Sequence, residues 1–145
     1  MKNYTYETAH EEIDYIFKTL LPQRGMAERP EQLRLCHSIL DAMLDGSIAL
    51  CDAGTGIGKT FAYLTAGILH GKCRAAEGRP QRPILISTSS IALQNAIQKE
   101  YLPLLSGVLL SEGLISAPIE AVIRKGKAHY ACDARLERRV RQVEG

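Results

Sequence analysis

The chain has 145 residues, 46% of them hydrophobic and 23% charged, with a formal net charge of +2. That composition excludes a disordered or fibrous chain, fits one domain with a buried core, and carries too little net charge to argue by itself for a polyanionic partner. Four cysteines without a C-x-x-C pair exclude a secreted disulfide framework, the acidic N-terminal stretch is unlike a signal peptide, and no apolar run approaches a membrane span, so a soluble cytoplasmic protein is expected.

Residues 8–11 read T-A-H-E, a capping-box pattern, and Ile13, Ile16, Phe17, Leu20 and Leu21 follow at helical spacing until Pro22 and Gly25. A second helix opens near Pro30 and closes at Asp45 and Gly46, with Leu33, Cys36, Ile39, Leu40, Met43 and Leu44 as its buried stripe. Residues 48–51 form a short apolar run before a glycine turn and read as a buried strand, with Cys51 as a core thiol. A helix is expected over about 59–70, with Gly71 beyond its end and a surface loop over 71–83. Residues 83–88, PILIST, read as a second buried strand; Ser89 or Ser90 then caps a helix that runs to Pro103. Residues 104–118 admit more than one element. Residues 119–126 read as a third strand, and Asp133 caps a last helix toward Glu144. Arg135, Arg138, Arg139 and Arg141 on that helix read as a solvated face, with nucleic-acid contact as the alternative. Helices alternating with buried strands imply an α/β fold, a parallel sheet with right-handed crossovers and flanking helices, incomplete at this length.

Residues 51–60, CDAGTGIGKT, lie between an apolar run and a helix and match G-x-x-x-x-G-K-[ST], the phosphate-binding P-loop, with Ala53 in place of the first glycine. Gly54, Gly56 and Gly58 let backbone N–H groups turn inward, and the following helix N-terminus adds its own donors. Ala53, Thr55 and Ile57 complete a loop that would wrap the phosphates of ATP, Lys59 reaches the terminal phosphates, and Thr60 offers its hydroxyl to Mg²⁺. The alternative is a glycine-rich turn with a chance Lys-Thr. Asp52 reads as a structural hydrogen-bonding residue or as a group near the metal. No expected strand ends in paired carboxylates, so nucleotide binding without hydrolysis is expected of this chain alone.

Four segments in order, RPEQ at 29–32, DAGTGIGKT at 52–60, ISTSSIALQNAI at 86–97 and RKGKAHYAC at 124–132, resemble the N-terminal part of the DinG/XPD-like DNA helicases of the iron–sulfur type in helicase superfamily two. Asp52 stands where that family has Glu, Ser89 where it has Thr, Lys127 where it has Arg and His129 where it has Asn. The spacing makes residues 1–28 a helical segment, and the resemblance, which covers most of residues 29–132, implies the first part of a RecA-like ATP-binding domain over 29–128 and the start of an iron–sulfur insert over 129–145. It implies that Gln32 reads the adenine edge with Arg29 in support. It implies that Thr88, Ser89 and Gln94 contact single-stranded DNA, or a duplex with a single-stranded tail, where helix capping alone would be the plainer role. Cys132 would be one of four thiolates on a 4Fe–4S cluster only if further chain supplies the other three. The expected activity is ATP-dependent DNA unwinding or translocation by the complete enzyme. Two other classes remain open: a stand-alone nucleotide- or DNA-binding module, including a split-gene subunit completed by a partner chain, and a small P-loop kinase.

Overall fold

A computed structural model describes residues 4–144, and among them none lies in a β-strand. The first helix, α1 (Tyr6–Tyr15), is capped by Thr5, whose Oγ1 accepts from the Thr8 N–H at 3.3 Å. Thr5, not Thr8, is therefore the cap, because Thr8 already stands in the first turn. Replacing Thr5 with alanine is expected to lower the unfolding free energy by about 1 kcal/mol in urea denaturation. An unchanged midpoint would show that this helix end is held by tertiary contacts instead.

α1 continues through a π-helical turn (Ile16–Leu20) into α2 (Leu21–Gln23). The device recurs where α5 (Ile91–Ala96) passes through a π turn (Ile97–Tyr101) into α6 (Leu102–Ser111). Each π turn precedes a Leu-Pro pair, Leu21-Pro22 and Leu102-Pro103. The Leu21 and Leu102 N–H groups bond five residues back, to the carbonyls of Ile16 and Ile97. The widened turn gives the proline ring room against the preceding carbonyls, so neither chain direction breaks. That is why the helix expected to stop at Pro103 runs on to Ser111, and why most of the ambiguous 104–118 stretch is helical.

Between them, α3 (Pro30–Asp45) starts with proline at its first position and ends at Gly46, φ +67°, where the sequence places both signals. α4 (Lys59–Ala76) outruns its expected end: it absorbs Gly71, since one interior glycine costs only about 1 kcal/mol, and the chain turns left-handed at Gly78, φ +69°. The core joins four helical segments. Ile13 and Ile16 from the first, Cys36 and Leu40 from α3, Ala66 and Leu69 from α4, and Leu105 and Leu109 from α6 are all buried.

Polar clasps tie these helices together. Glu12 accepts from Tyr4 Oη at 2.7 Å and from Lys72 Nζ at 2.7 Å, joining α1 to α4. His10 and His37 stack with Nδ1 atoms 2.5 Å apart, so one ring donates and the other accepts. His37 Nε2 is hydrogen-bonded to Asp14 at 3.0 Å, whereas His10 Nε2 lies 3.0 Å from Asp41 without hydrogen-bond geometry, the same Asp41 oxygen accepting from Tyr6 Oη at 2.7 Å. The same H-x-x-x-D spacing on α1 and α3 thus pairs crosswise, each histidine with the other helix's carboxylate. Burial raises the Asp14 carboxyl, but hydrogen bonds from Lys18 and His37 outweigh it and leave it below the ordinary range.

The expected α/β architecture, a parallel sheet with flanking helices, is not what forms. Residues 48–51, 83–88 and 119–126 have no ladder partners and leave much of their apolar surface in water: Ile48 is 90% exposed, Leu85 93% and Val122 82%. A parallel sheet needs cover on both faces. Here the helices bury their apolar stripes against one another and leave these short runs at the edge of the bundle. Cys51 is accordingly exposed, not a core thiol. Local contacts hold the second and third of these runs. A Cβ on Gly67 would sit 2.7 Å from Ile84 Cδ1, so the missing side chain lets Ile84 lie against α4. The Ile119 N–H donates to Ser106 Oγ on α6 at 3.1 Å. After a single 3₁₀ turn (Lys127–His129), α7 (Asp133–Glu144) closes the described chain where it is expected. No helix among the described residues is long and apolar enough to cross a membrane.

Candidate phosphate-binding site

The glycine loop feeds directly into α4. Gly56 and Gly58 take φ of +83° and +80°, left-handed values that L side chains rarely adopt, and Gly58 is the residue before the first helical turn. The helix that follows is 18 residues long, with its free N–H groups and positive dipole end at the loop. Lys59 is its first residue. The Lys59 Nζ folds back over the loop and donates to the carbonyls of Ala53 at 2.9 Å and Gly54 at 2.8 Å. Thr60 follows in the same turn and is half-buried; Thr55 is exposed, while Ile57 is half-buried.

The start of α3 braces this loop from the other side. Arg29 donates through its guanidinium to the Gly56 carbonyl, and Gln32 donates through Nε2 to the Gly58 carbonyl at 2.7 Å. Arg29, extended at the cap position before α3, and Gln32, in its first turn, meet carbonyls two residues apart in the loop. Gln32 is only 7% exposed. A Cβ on Gly58 would lie 2.0 Å from Gln32 Nε2, so glycine is required there by both backbone and neighbour. This brace was not legible in the sequence: the i, i+3 spacing defines a face but not what the face meets.

Thr88, Ser89 and Gln94 come together at the start of α5. Thr88 Oγ1 accepts from the Ser90 N–H at 3.1 Å, and Gln94 Nε2 donates to the Thr88 carbonyl at 3.4 Å. The cap itself is Ser90, whose Oγ accepts from the Leu93 N–H at 3.2 Å; Ser89 is exposed. Gln94 Oε1 is buried without a partner, an acceptor left open beside this turn. The segment also borders an open apolar cleft of about 490 Å³ between α4 and the 83–86 and 119–124 runs.

The thiols do not assemble. Cys132 is exposed just ahead of α7, Cys51 is exposed before the loop, and Cys36 and Cys73 are buried in the helix core. Burial pushes the Cys36 and Cys73 thiols up, which keeps them protonated and poor as ligands. No group of three or more His, Cys, Asp or Glu that could hold a metal ion occurs among the described residues. These residues therefore do not fit a four-thiolate cluster.

No protein-family model matches this chain, and no solved structure matches it. Curated proteins do. The chain is 33% identical over 113 residues to the 3'-5' exonuclease DinG of Bacillus subtilis, a match covering 78% of this chain and 11% of that protein. It is 33% identical over 119 residues to the ATP-dependent DNA helicase YoaA of Haemophilus influenzae, covering 82% of this chain and 16% of that protein. It is 31% identical over 113 residues to the YoaA helicase of Escherichia coli, covering 78% and 15%. The chain thus spans about a tenth to a sixth of the length of the curated relatives it matches, and over most of its own length it is a relative of the DinG and YoaA proteins.

Proposed function

We propose that this chain is the ATP-binding portion of a DNA helicase of the DinG and YoaA kind. In this reading the loop of Ala53, Gly54, Thr55, Gly56, Ile57 and Gly58 wraps the phosphates of ATP. Lys59 releases the Ala53 and Gly54 carbonyls and turns its ammonium to the terminal phosphates. Thr60 is the residue that would take Mg²⁺. The α4 N-terminus supplies backbone donors, and Arg29 and Gln32 hold the loop's Gly56 and Gly58 carbonyls so that its N–H groups face the ligand. Gln32 has an amide oxygen beyond its bond to Gly58 with which to read a base edge. The exposed Ser89 hydroxyl and the turn that Thr88 and Gln94 hold at the start of α5 are the groups that would meet single-stranded DNA. Hydrolysis needs a carboxylate on Mg²⁺ and a water-orienting group, and unwinding belongs to the complete enzyme.

One observation carries the reading most: a lysine at the first position of a long helix, its ammonium folded over a glycine loop with two left-handed residues. Mg-ATP is expected to raise the wild-type unfolding free energy, by about 2.7 kcal/mol at 100 times its Kd. Lys59→Ala is expected to abolish that increment with little change in the unliganded midpoint. Equal Mg-ATP stabilisation of wild type and variant would remove Lys59, and with it the loop, from the nucleotide site.

A further inference from the structure

Charge is unevenly spread along this chain. Seven of the 18 Lys and Arg residues but only three of the 16 Asp and Glu residues fall within 124–144, which puts that stretch at +4 and the residues before it at −2. The excess concentrates on α7. On a 3.6-residue repeat, Arg135, Arg138, Arg139 and Arg141 share one arc of about 160°. Leu136, Val140 and Val143 form a separate narrow strip, and Asp133 and Glu137 lie beyond it. Every residue over 133–143 is exposed, and none of the four arginines is paired with a carboxylate among the described residues.

We propose that the arginine face of α7 is a docking surface for the phosphate backbone of nucleic acid. The inference rests on the reading of this chain as one that works on DNA, and it assigns that partner to a surface outside the glycine loop. Guanidinium groups keep their charge and fork onto phosphate oxygens. The arc carries no aromatic side chain for stacking and a single amide, Gln142, among its four guanidinium groups, so phosphate contact outweighs base reading on this face. The negative balance of the remaining chain steers a polyanion to this end. An anionic membrane fits less well: the apolar strip is one leucine and two valines, and α7 has no aromatic residue to seat in a lipid interface.

The test is nucleotide-free fluorescence anisotropy with the full chain and a labelled 20-nucleotide single strand of mixed sequence, over a range of salt. The quadruple variant R135Q/R138Q/R139Q/R141Q is expected to bind at least about tenfold more weakly at low salt. Its slope of log K against log salt is expected to be shallower by about 3, the share of four phosphate contacts on single-stranded DNA. Glu137→Gln, which removes a repelling charge from the same helix, is expected to tighten binding, an effect that misfolding would not produce. Circular dichroism and the urea midpoint should stay unchanged in both variants, since the helix face is exposed. The proposal is overturned if wild type fails to bind the strand, if the quadruple variant keeps the wild-type slope, or if phosphatidylserine vesicles outcompete DNA at equal phosphate. Mg-ATP stabilisation, measured separately on the same proteins, reports on the loop alone, so a failed nucleotide site and a failed α7 surface give different patterns.

Discussion

Leu69→Ala is expected to lower the unfolding free energy by about 2–5 kcal/mol, the range for emptying a well-packed leucine site. Leu69 is 1% exposed and sits midway along α4, the helix that meets α1, α3 and α6. Collapse around the vacancy is resisted on several sides, because the neighbouring helices are pinned by Lys72 on Glu12 and by the crosswise pairs of His10 with Asp41 and His37 with Asp14. Against a total stability of about 5–15 kcal/mol for a domain, that loss is large. Urea unfolding with an unchanged m-value is the check. A loss below about 1 kcal/mol would mean that α4 is not the centre of the bundle.

Gly58→Ala is expected to cost about 2–5 kcal/mol, from two sources that can be separated. The backbone at φ +80° costs a residue with a Cβ about 1–2 kcal/mol. The new Cβ also meets Gln32 Nε2 at 2.0 Å, so the amide must withdraw and leave the Gly58 carbonyl and a buried polar side chain without each other. That adds about 1–3 kcal/mol. In a Gln32→Ala background only the backbone part should remain, so the two substitutions should be non-additive by more than about 1 kcal/mol. Strict additivity in a double-mutant cycle would show that Gln32 does not hold the loop. The same variant is expected to lose Mg-ATP stabilisation, because the last turn before α4 can no longer present its N–H groups.

The helix boundaries that are written in local chemistry could be read directly. Pro30 and Gly46 bracket α3, because start and stop signals act within one turn, whereas Asp133, expected as the cap of α7, is its first helical residue and stands in the first turn instead. Pro22 and Gly25 bracket the end of the first helix at Gln23, but Pro103 misled, since a proline normally ends a helix, whereas the π turn that ends at Tyr101 lets this one pass. The three apolar runs misled for a different reason. A run such as residues 48–51 looks the same whether it enters a ladder or lies open to water, and pairing is settled by partners far away in sequence. At the candidate site, the glycine spacing announces the loop and its left-handed turns. The contacts of Arg29 and Gln32 on Gly56 and Gly58 depend on how α3 docks, as does the crosswise pairing of the two H-x-x-x-D segments, and neither can be read from one segment alone. The match to DinG and YoaA proteins agrees with the family that the four motifs resemble, while the all-helical described chain departs from the sheet those motifs suggested.

The most direct measurement is calorimetric titration of the wild-type chain with Mg-ATP, repeated in the presence of inorganic tripolyphosphate. The account predicts saturable one-to-one binding of Mg-ATP that tripolyphosphate competes away, because the loop and the α4 N-terminus hold phosphates. No saturable binding at millimolar Mg-ATP, or binding indifferent to tripolyphosphate, would contradict it.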